Sequence, residues 1–169
     1  SGPNLRFIPP PRETIDRRLP PSRLVTKIMK LALIHLPTKL LNPLVLRFPT
    51  PSMAPELDLF RNGALLVNKF GARIDAAPEQ LGLRIAEQPD KTGYVLLDSA
   101  LASKYSAWPD FIATAPGVAY AYFDDFRRTR PDIFFRAESI ADLAKSLDME
   151  ISVLGEAISL HNADEPSRA

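Results

Sequence analysis

Proline divides this sequence into two parts with different folding possibilities. Eleven of the 17 prolines lie before residue 56, including the runs IPPPRE and RRLPPS. Each proline fixes φ and removes a backbone donor, so regular structure is confined to the stretches between them. Charge changes at the same place, with nine Lys or Arg and two acids up to Pro55, and 12 against 18 afterwards. We predict a Pro-rich strap and basic amphipathic helical segment at 1–55 and an α+β domain at 56–169.

The first segment contains one helix candidate, from a cap at Ser22 to Leu36. Prolines interrupt the longer apolar run that surrounds it, whereas a membrane-spanning helix needs about 20 consecutive apolar residues. A basic amphipathic helix is typical of a segment that lies on an anionic membrane, so peripheral membrane contact is one expectation. The basic and apolar residues of the candidate fall on separate faces: Arg23, Lys27 and Lys30, against Leu24, Ile28 and Leu31.

The second segment predicts short strands that alternate irregularly with short helices. This order lacks a regular βαβ period, so the predicted class is α+β, with a small mixed sheet, a hairpin and packed helices. The predicted elements are a hairpin at 64–75 with Gly71 in its turn, a strand at 94–97, a helix capped by Asp98 or Ser99 that runs through Tyr105, a strand at 118–123, a short helix from Asp124 that Pro131 ends, a helix capped by Ser139, and a last helix with Leu154, Ala157 and Ile158.

Several kinds of chemistry are excluded by composition. The chain has no cysteine, so disulfides and thiolate metal sites are impossible. Its seven glycines are too dispersed for a dinucleotide or phosphate cradle. Its two histidines, His35 and His161, lie too far apart for a metal site or a nucleophile–base pair, and a structural role is favoured for His161. We predict no metal site and no nucleic-acid partner.

Residues 120–130 carry the polar side chains best suited to ligand contact. Arginines there, including Arg127 and Arg128, could grip an acidic group in a bidentate fork. Tyr120 and Tyr122 share one side of a predicted strand, with Val118. The more common alternative in proteins is structural, with the arginines paired to neighbouring acids on a solvated face and the tyrosines in the core.

Three stretches of the second segment, taken in order, resemble a known family. GALLVNKFGARI resembles a hairpin in the cap, or substrate, domain of the succinate dehydrogenase and fumarate reductase flavoprotein family. PDKTGYVLLDSALASKYSAWP resembles the strand and helix that follow this hairpin, and ESIADLAKSLDMEISVLGEAISLHNA resembles the family's two-helix stretch. Together they span residues 56–163, so the resemblance implies a cap-domain type of fold.

The resemblance implies part of an FAD-dependent oxidoreductase that moves a hydride between flavin N5 and a carbon–carbon bond next to a carbonyl. In the family, the glycine-rich FAD fingerprint belongs to a separate domain of the same polypeptide, so no cofactor-binding residue is expected in this chain. The implied partners are FAD, that FAD-binding domain, and a small enone or unsaturated acid. Because the chain begins at Ser1 without Met, we expect an excised cap that is inactive alone, from a cytoplasmic or membrane-peripheral enzyme.

Two positions depart from the family's pattern. The stretch after Arg73 reaches Ala77 where the family has a glutamate, and Asp98 is followed by Ser99-Ala100-Leu101-Ala102 where the family has a proton-donating arginine. Alanine has no ionisable group for a proton relay. Fumarate reduction is therefore not expected, and a larger or less polar enone, such as a steroid-like compound, is favoured.

The nearest replacement chemistry lies in residues 120–130. A tyrosine hydroxyl can donate a proton to an enone oxygen, and an arginine can stabilise the enolate that forms. We therefore predict Tyr120 and Tyr122 as catalytic residues and Arg127 and Arg128 as substrate-binding residues. The alternative function is a non-catalytic membrane-interface module that uses the basic helix at 22–36.

Overall fold

The computed structural model describes residues 5–9, 53–115 and 119–164. The predicted helix at 22–36, His35 and Val118 lie outside these residues, so the predictions made for them rest on the sequence. The strands are β1 (Ala54–Pro55), β2 (Leu65–Val67), β3 (Tyr94–Leu96), β4 (Ala113–Ala115) and β5 (Ala119–Ala121). The helices are α1 (Leu57–Arg61), α2 (Leu81–Ala86), α3 (Ser99–Lys104), α4 (Phe123–Thr129), α5 (Ile140–Leu147) and α6 (Ile151–Asp164), with 3₁₀ turns at Pro78–Gln80 and Pro89–Lys91.

The strands form two small antiparallel sheets. One sheet has three strands in the order β1-β4-β5, and the other pairs β2 with β3. This mixture of helices and small sheets is consistent with the predicted α+β class. Both sheets of the described residues are antiparallel, whereas the prediction was a small mixed sheet. β4 and β5, for example, follow each other through a short connection, and a parallel pair needs a much longer crossover.

The predicted hairpin at 64–75 is present in a short form. After β2 the chain turns through Asn68, whose side-chain oxygen accepts hydrogen bonds from the N–H groups of Phe70 and Ala72 at 2.9 and 3.1 Å. The return strand is limited to a bridge between Val67 and Arg73, so the main partner of β2 is β3. Gly71 has a φ of +87°, as the predicted tight turn requires.

Local capping signals set the starts of two helices as predicted. The Asp98 carboxylate accepts from the Leu101 N–H at 2.7 Å at the start of α3. The Ser139 hydroxyl accepts from the Asp142 N–H at 3.1 Å at the start of α5. α4 begins at Phe123, one residue earlier than predicted, and it ends before Pro131. These starts are set by side chains within three residues, which is why the sequence reveals them.

The buried residues of these elements are mainly apolar, and they form separate core clusters. One cluster lies between the three-stranded sheet and its helices and contains Met53, Leu59, Leu101, Tyr105, Ala113, Ala121 and Phe126. A second cluster joins β2 to α5 and α6 and contains Leu65, Val67, Ala144, Leu147, Leu154 and Ala157. Burying one large apolar side chain contributes about 1.5–3 kcal/mol, so these clusters provide much of the stabilisation of the described residues.

Residues before the predicted boundary at Pro55 contact the segment that follows it. Met53 is 2% exposed, and β1 pairs with β4. The ring of Phe7 lies 4.6 Å from the ring of Phe126, and the Phe7 N–H donates to the Met53 carbonyl at 3.4 Å. The division into 1–55 and 56–169 stays a prediction, and the described residues on its first side are part of the packed structure.

Substituting Gly71 with alanine should lower the free energy of unfolding by about 1–3 kcal/mol. The left-handed conformation costs an L-residue roughly 1–2 kcal/mol, and a Cβ at this position would lie 3.3 Å from the backbone nitrogen of Leu154. Gly155→Ala in α6 is the matched control, because its added Cβ meets no atom within 4 Å and alanine favours a helix by about 1 kcal/mol over glycine. Urea unfolding followed by circular dichroism measures both variants. Equal effects would contradict the role assigned to Gly71.

Candidate functional site

The four predicted site residues lie where β5 leads into α4. Tyr120 is in β5, Tyr122 lies between the strand and the helix, and Arg127 and Arg128 are on α4. The Phe123 N–H donates to the carbonyl of Tyr105 at 3.0 Å, which ties this corner to the end of α3. This backbone hydrogen bond does not depend on the side chains of the four candidate residues.

Tyr120 and Tyr122 have different surroundings. Tyr120 is 41% exposed, so the structural alternative of a core tyrosine is wrong for this residue. Tyr122 is half-buried and lies just outside the strand, where its N–H donates to the Asp125 carboxylate at 2.9 Å. Because β5 ends at Ala121, the predicted strand alternation does not extend to Tyr122.

Tyr120 belongs to an aromatic cluster that sequence reasoning missed. Its ring centroid lies 4.6 Å from that of Phe111 and 5.4 Å from that of Trp108, and the latter two rings are 6.3 Å apart. Trp108 is 66% exposed. The available signal was the pair of aromatic residues in WPDF, residues 108–111, in the loop before β4. The sequence does not indicate that this loop folds back onto β5. The cluster gives the corner an open aromatic surface.

The arginines on α4 pair with acids one turn earlier in the same helix. Arg127 lies 3.1 Å from Asp124, and Arg128 lies 2.6 Å from Asp125. The guanidinium side chains are 52% and 69% exposed, whereas the Asp125 side chain is only 10% exposed. This is the arrangement that the structural alternative describes, so any substrate role for these arginines has to compete with their local pairing.

Arg130 is buried, and no local feature of the sequence indicates this burial. Its Nε and Nη2 donate to the two carboxylate oxygens of Asp132, both at 2.9 Å, and the residue is 2% exposed. Its Nη1 is buried without a hydrogen-bond partner. Burial of a charged fork is costly unless it is paired, and the two hydrogen bonds to Asp132, which is 44% exposed, pair this one.

An ionisable pair lies close to Ala77, where the family pattern has a glutamate. Arg61 donates to Asp58 at 2.7 Å and also to Glu79 in the 3₁₀ turn that follows Ala77. The pKa of the Glu79 carboxyl is lowered, first by its own backbone N–H and then by the hydrogen bond from Arg61. Glu79 is therefore a carboxylate near neutral pH, and it does not replace the missing glutamate as a proton donor.

Two side chains, those of Arg73 in the hairpin and His161 in α6, form contacts between α6 and the β2 region. The Arg73 guanidinium contacts Asp75 and Asp164, each at 2.6 Å, and is 21% exposed. The Nε2 atom of His161 lies 3.0 Å from the carbonyl oxygen of Gly63. This contact fits the structural role predicted for His161.

The described residues contain no group of three or more His, Cys, Asp or Glu side chains that could hold a metal ion. Within the same part of the chain, no helix is both long enough and apolar enough to cross a membrane. Comparisons with protein-family models, curated proteins and solved structures found no match to this chain.

Replacing Arg130 with alanine should destabilise the fold by about 3 kcal/mol, because the change removes a large side chain that is 2% exposed and leaves a cavity. Arg127→Ala is the control on the neighbouring helix α4, and its loss should be below about 1 kcal/mol because the side chains of Arg127 and Asp124 are both about half exposed. Thermal and urea unfolding of the two variants tests this difference. A large loss for Arg127→Ala with none for Arg130→Ala would reverse the assignment.

Proposed function

We propose that the second segment is the substrate-capping domain of an FAD-dependent oxidoreductase of the succinate dehydrogenase and fumarate reductase flavoprotein type. Such an enzyme moves a hydride between flavin and a carbon–carbon bond next to a carbonyl. The observation that carries this proposal is the packing of the three stretches that resemble the family. They are separate in the sequence, and parts of all three share one core cluster.

Contacts among the three stretches are direct. β2, from the first stretch, pairs with β3, from the second, in the register Leu65 to Leu96 and Val67 to Tyr94. The third stretch forms α5 and α6, and its residues Ala144, Leu147, Leu154 and Ala157 pack in the same core cluster as Leu65 and Val67. The three stretches occur in the order that the family has and parts of each share one core, which supports the proposal that they form one fold unit.

Among the residues that the structure describes, none form a self-sufficient FAD site. The two described glycines with positive φ, Gly63 and Gly71, lie in turns of the β2 region, and Gly71 packs against Leu154 rather than lining an open phosphate cradle. The proposal therefore assigns FAD to a separate FAD-binding domain of the same polypeptide. The contribution of this chain is to contact and orient the substrate.

The chemistry at the β5–α4 corner favours an enone over a small dicarboxylate. Arg127 and Arg128 are already paired with Asp124 and Asp125, so a substrate carboxylate would have to displace these acids. A tyrosine hydroxyl can donate a hydrogen bond or a proton to a carbonyl oxygen without such an exchange. Negative charge that develops on that oxygen could then draw an exposed arginine away from its carboxylate.

Flavin content provides the first test. The product of the complete reading frame should purify with bound flavin, visible in its absorbance spectrum. The 169-residue chain, titrated with FAD and followed by flavin fluorescence, should not bind it stoichiometrically. Tight stoichiometric binding by this chain would refute its role as a cap without a cofactor site. A complete product that carries no flavin, even after reconstitution with FAD, would refute the oxidoreductase proposal.

Substitutions at the corner test the assigned roles in the complete flavoprotein. Tyr122→Phe and Arg128→Ala should each lower kcat/KM by about 10²-fold, as expected for the loss of a general acid or of an oxyanion-stabilising group. Flavin reoxidation by a panel of uncharged enones measures the rate per bound flavin. Arg84→Ala is the control, because Arg84 is 50% exposed and pairs with Glu87 at the same helical spacing, away from the corner. Unchanged turnover together with lost thermal stability would assign the corner residues to structure.

A further inference from the structure

Helix α4 has few apolar side chains with which to pack against the core. Its sequence, Phe-Asp-Asp-Phe-Arg-Arg-Thr, contains two phenylalanines among polar residues. A helix this short is not stable without tertiary contacts. Phe123 is half-buried and its ring lies 5.0 Å from that of Phe134. Phe126 is 5% exposed and belongs to the core cluster that contains Met53 and Leu59, so it is the buried apolar side chain that attaches α4 to the core.

Residues 5–9 reach Phe126 from a distant part of the sequence. The Phe7 ring centroid lies 4.6 Å from the Phe126 ring centroid, and the ring planes are inclined by 48°. Leu5 is half-buried and packs against the separate cluster that contains Leu66. The segment therefore contacts two core clusters at once, and one of these contacts is made to the residue that attaches α4.

Few contacts hold residues 5–9 in place. Three of the five residues are exposed, and Leu5 and Phe7 are half-buried. Among the described residues, a single hydrogen bond joins the segment to the rest of the chain. It runs from the Phe7 N–H to the Met53 carbonyl at 3.4 Å, which is longer than the usual N–H···O distance. Regions with so few buried contacts open locally at a lower free energy than the core does.

We propose that residues 5–9 act as a latch, which orders α4 when it is docked and opens without unfolding of the rest of the core. Contact with the Phe7 ring buries part of the Phe126 ring, so the docked latch favours the packed position of α4. Because α4 begins at the β5–α4 corner and carries Arg127 and Arg128, the latch also sets how well this corner is ordered. The latch does not depend on the proposed function, because it involves neither flavin nor substrate.

Amide hydrogen exchange of the 169-residue chain, followed by NMR, tests the latch at three hydrogen-bonded N–H groups. The Phe7 N–H reports on docking. The Arg130 N–H, which donates to the Phe126 carbonyl at 2.8 Å, reports on α4. The Leu154 N–H, which donates to the Glu150 carbonyl at 3.1 Å, reports on α6. In the parent chain, the Phe7 N–H should exchange at least about 10-fold faster than the Leu154 N–H, with little dependence on urea, because local opening exposes little surface. Equal protection and equal urea dependence would overturn the proposal, since the segment would then open only with the whole core.

Substitutions in the latch test its effect on α4. Phe7→Ala should speed exchange of the Arg130 N–H by about 10-fold, through loss of the aromatic pair, and should leave exchange of the Leu154 N–H unchanged. Ile8→Ala is the matched control, because Ile8 directly follows Phe7 and is 49% exposed, and it should change neither rate. Unchanged exchange at Arg130 in Phe7→Ala would refute the effect on α4. Equal acceleration at Arg130 and Leu154 would make the segment an ordinary part of the core, which also overturns the proposal.

A milder substitution keeps the outcome clear if circular dichroism shows that Phe7→Ala does not fold. Phe7→Leu retains an apolar side chain but lacks the ring, so it should still speed exchange at Arg130 relative to Leu154. If Phe7→Leu does not fold either, residues 5–9 are required by the whole core, and the latch is refuted. The measurement needs no flavin, so a complete product without FAD would refute the proposed function and leave the latch intact.

Discussion

The described structure depends on a three-residue strand that is buried on both faces. Leu65, Leu66 and Val67 are each at most 4% exposed. Leu65 and Val67 point into the cluster with α5 and α6, while Leu66 points into a smaller cluster with Ile74 and Leu81. β3 pairs along one edge of the strand, and the bridge to Arg73 lies at the other. A strand enclosed in this way has a fixed register, because a shift by one residue would exchange its two faces.

Contacts at both ends of β2 carry this register to α6. His161 reaches the Gly63 carbonyl just before the strand, and Arg73 reaches Asp164 just after the turn. Gly71 packs against the backbone of Leu154 between them. Since α6 contacts the region at three points, the length and position of the hairpin turn are set by the helix as much as by the turn residues. Asn68 then stabilises this turn through its side-chain hydrogen bonds.

Features that depend on neighbouring residues could be predicted from the sequence, and features that depend on distant pairing could not. The caps at Asp98 and Ser139 and the turn at Gly71 each require information from a few adjacent positions. The division into two sheets depends on which strands meet, and the aromatic cluster depends on a loop that folds back across β5. Burial of Arg130 was missed for the same reason, because a buried and an exposed arginine look alike in a list of charges.

Asp125 links the fold of the corner to its electrostatics. Its nearly buried carboxylate accepts from the Tyr122 N–H and thereby satisfies a backbone donor at the start of α4. The same carboxylate pairs with Arg128 and offsets much of the positive charge of its guanidinium group. A substitution that released Arg128 by removing Asp125 would also remove the acceptor that helps to start the helix. The requirement for a defined helix start therefore keeps an acid beside Arg128, so the charges on this helix stay nearly balanced.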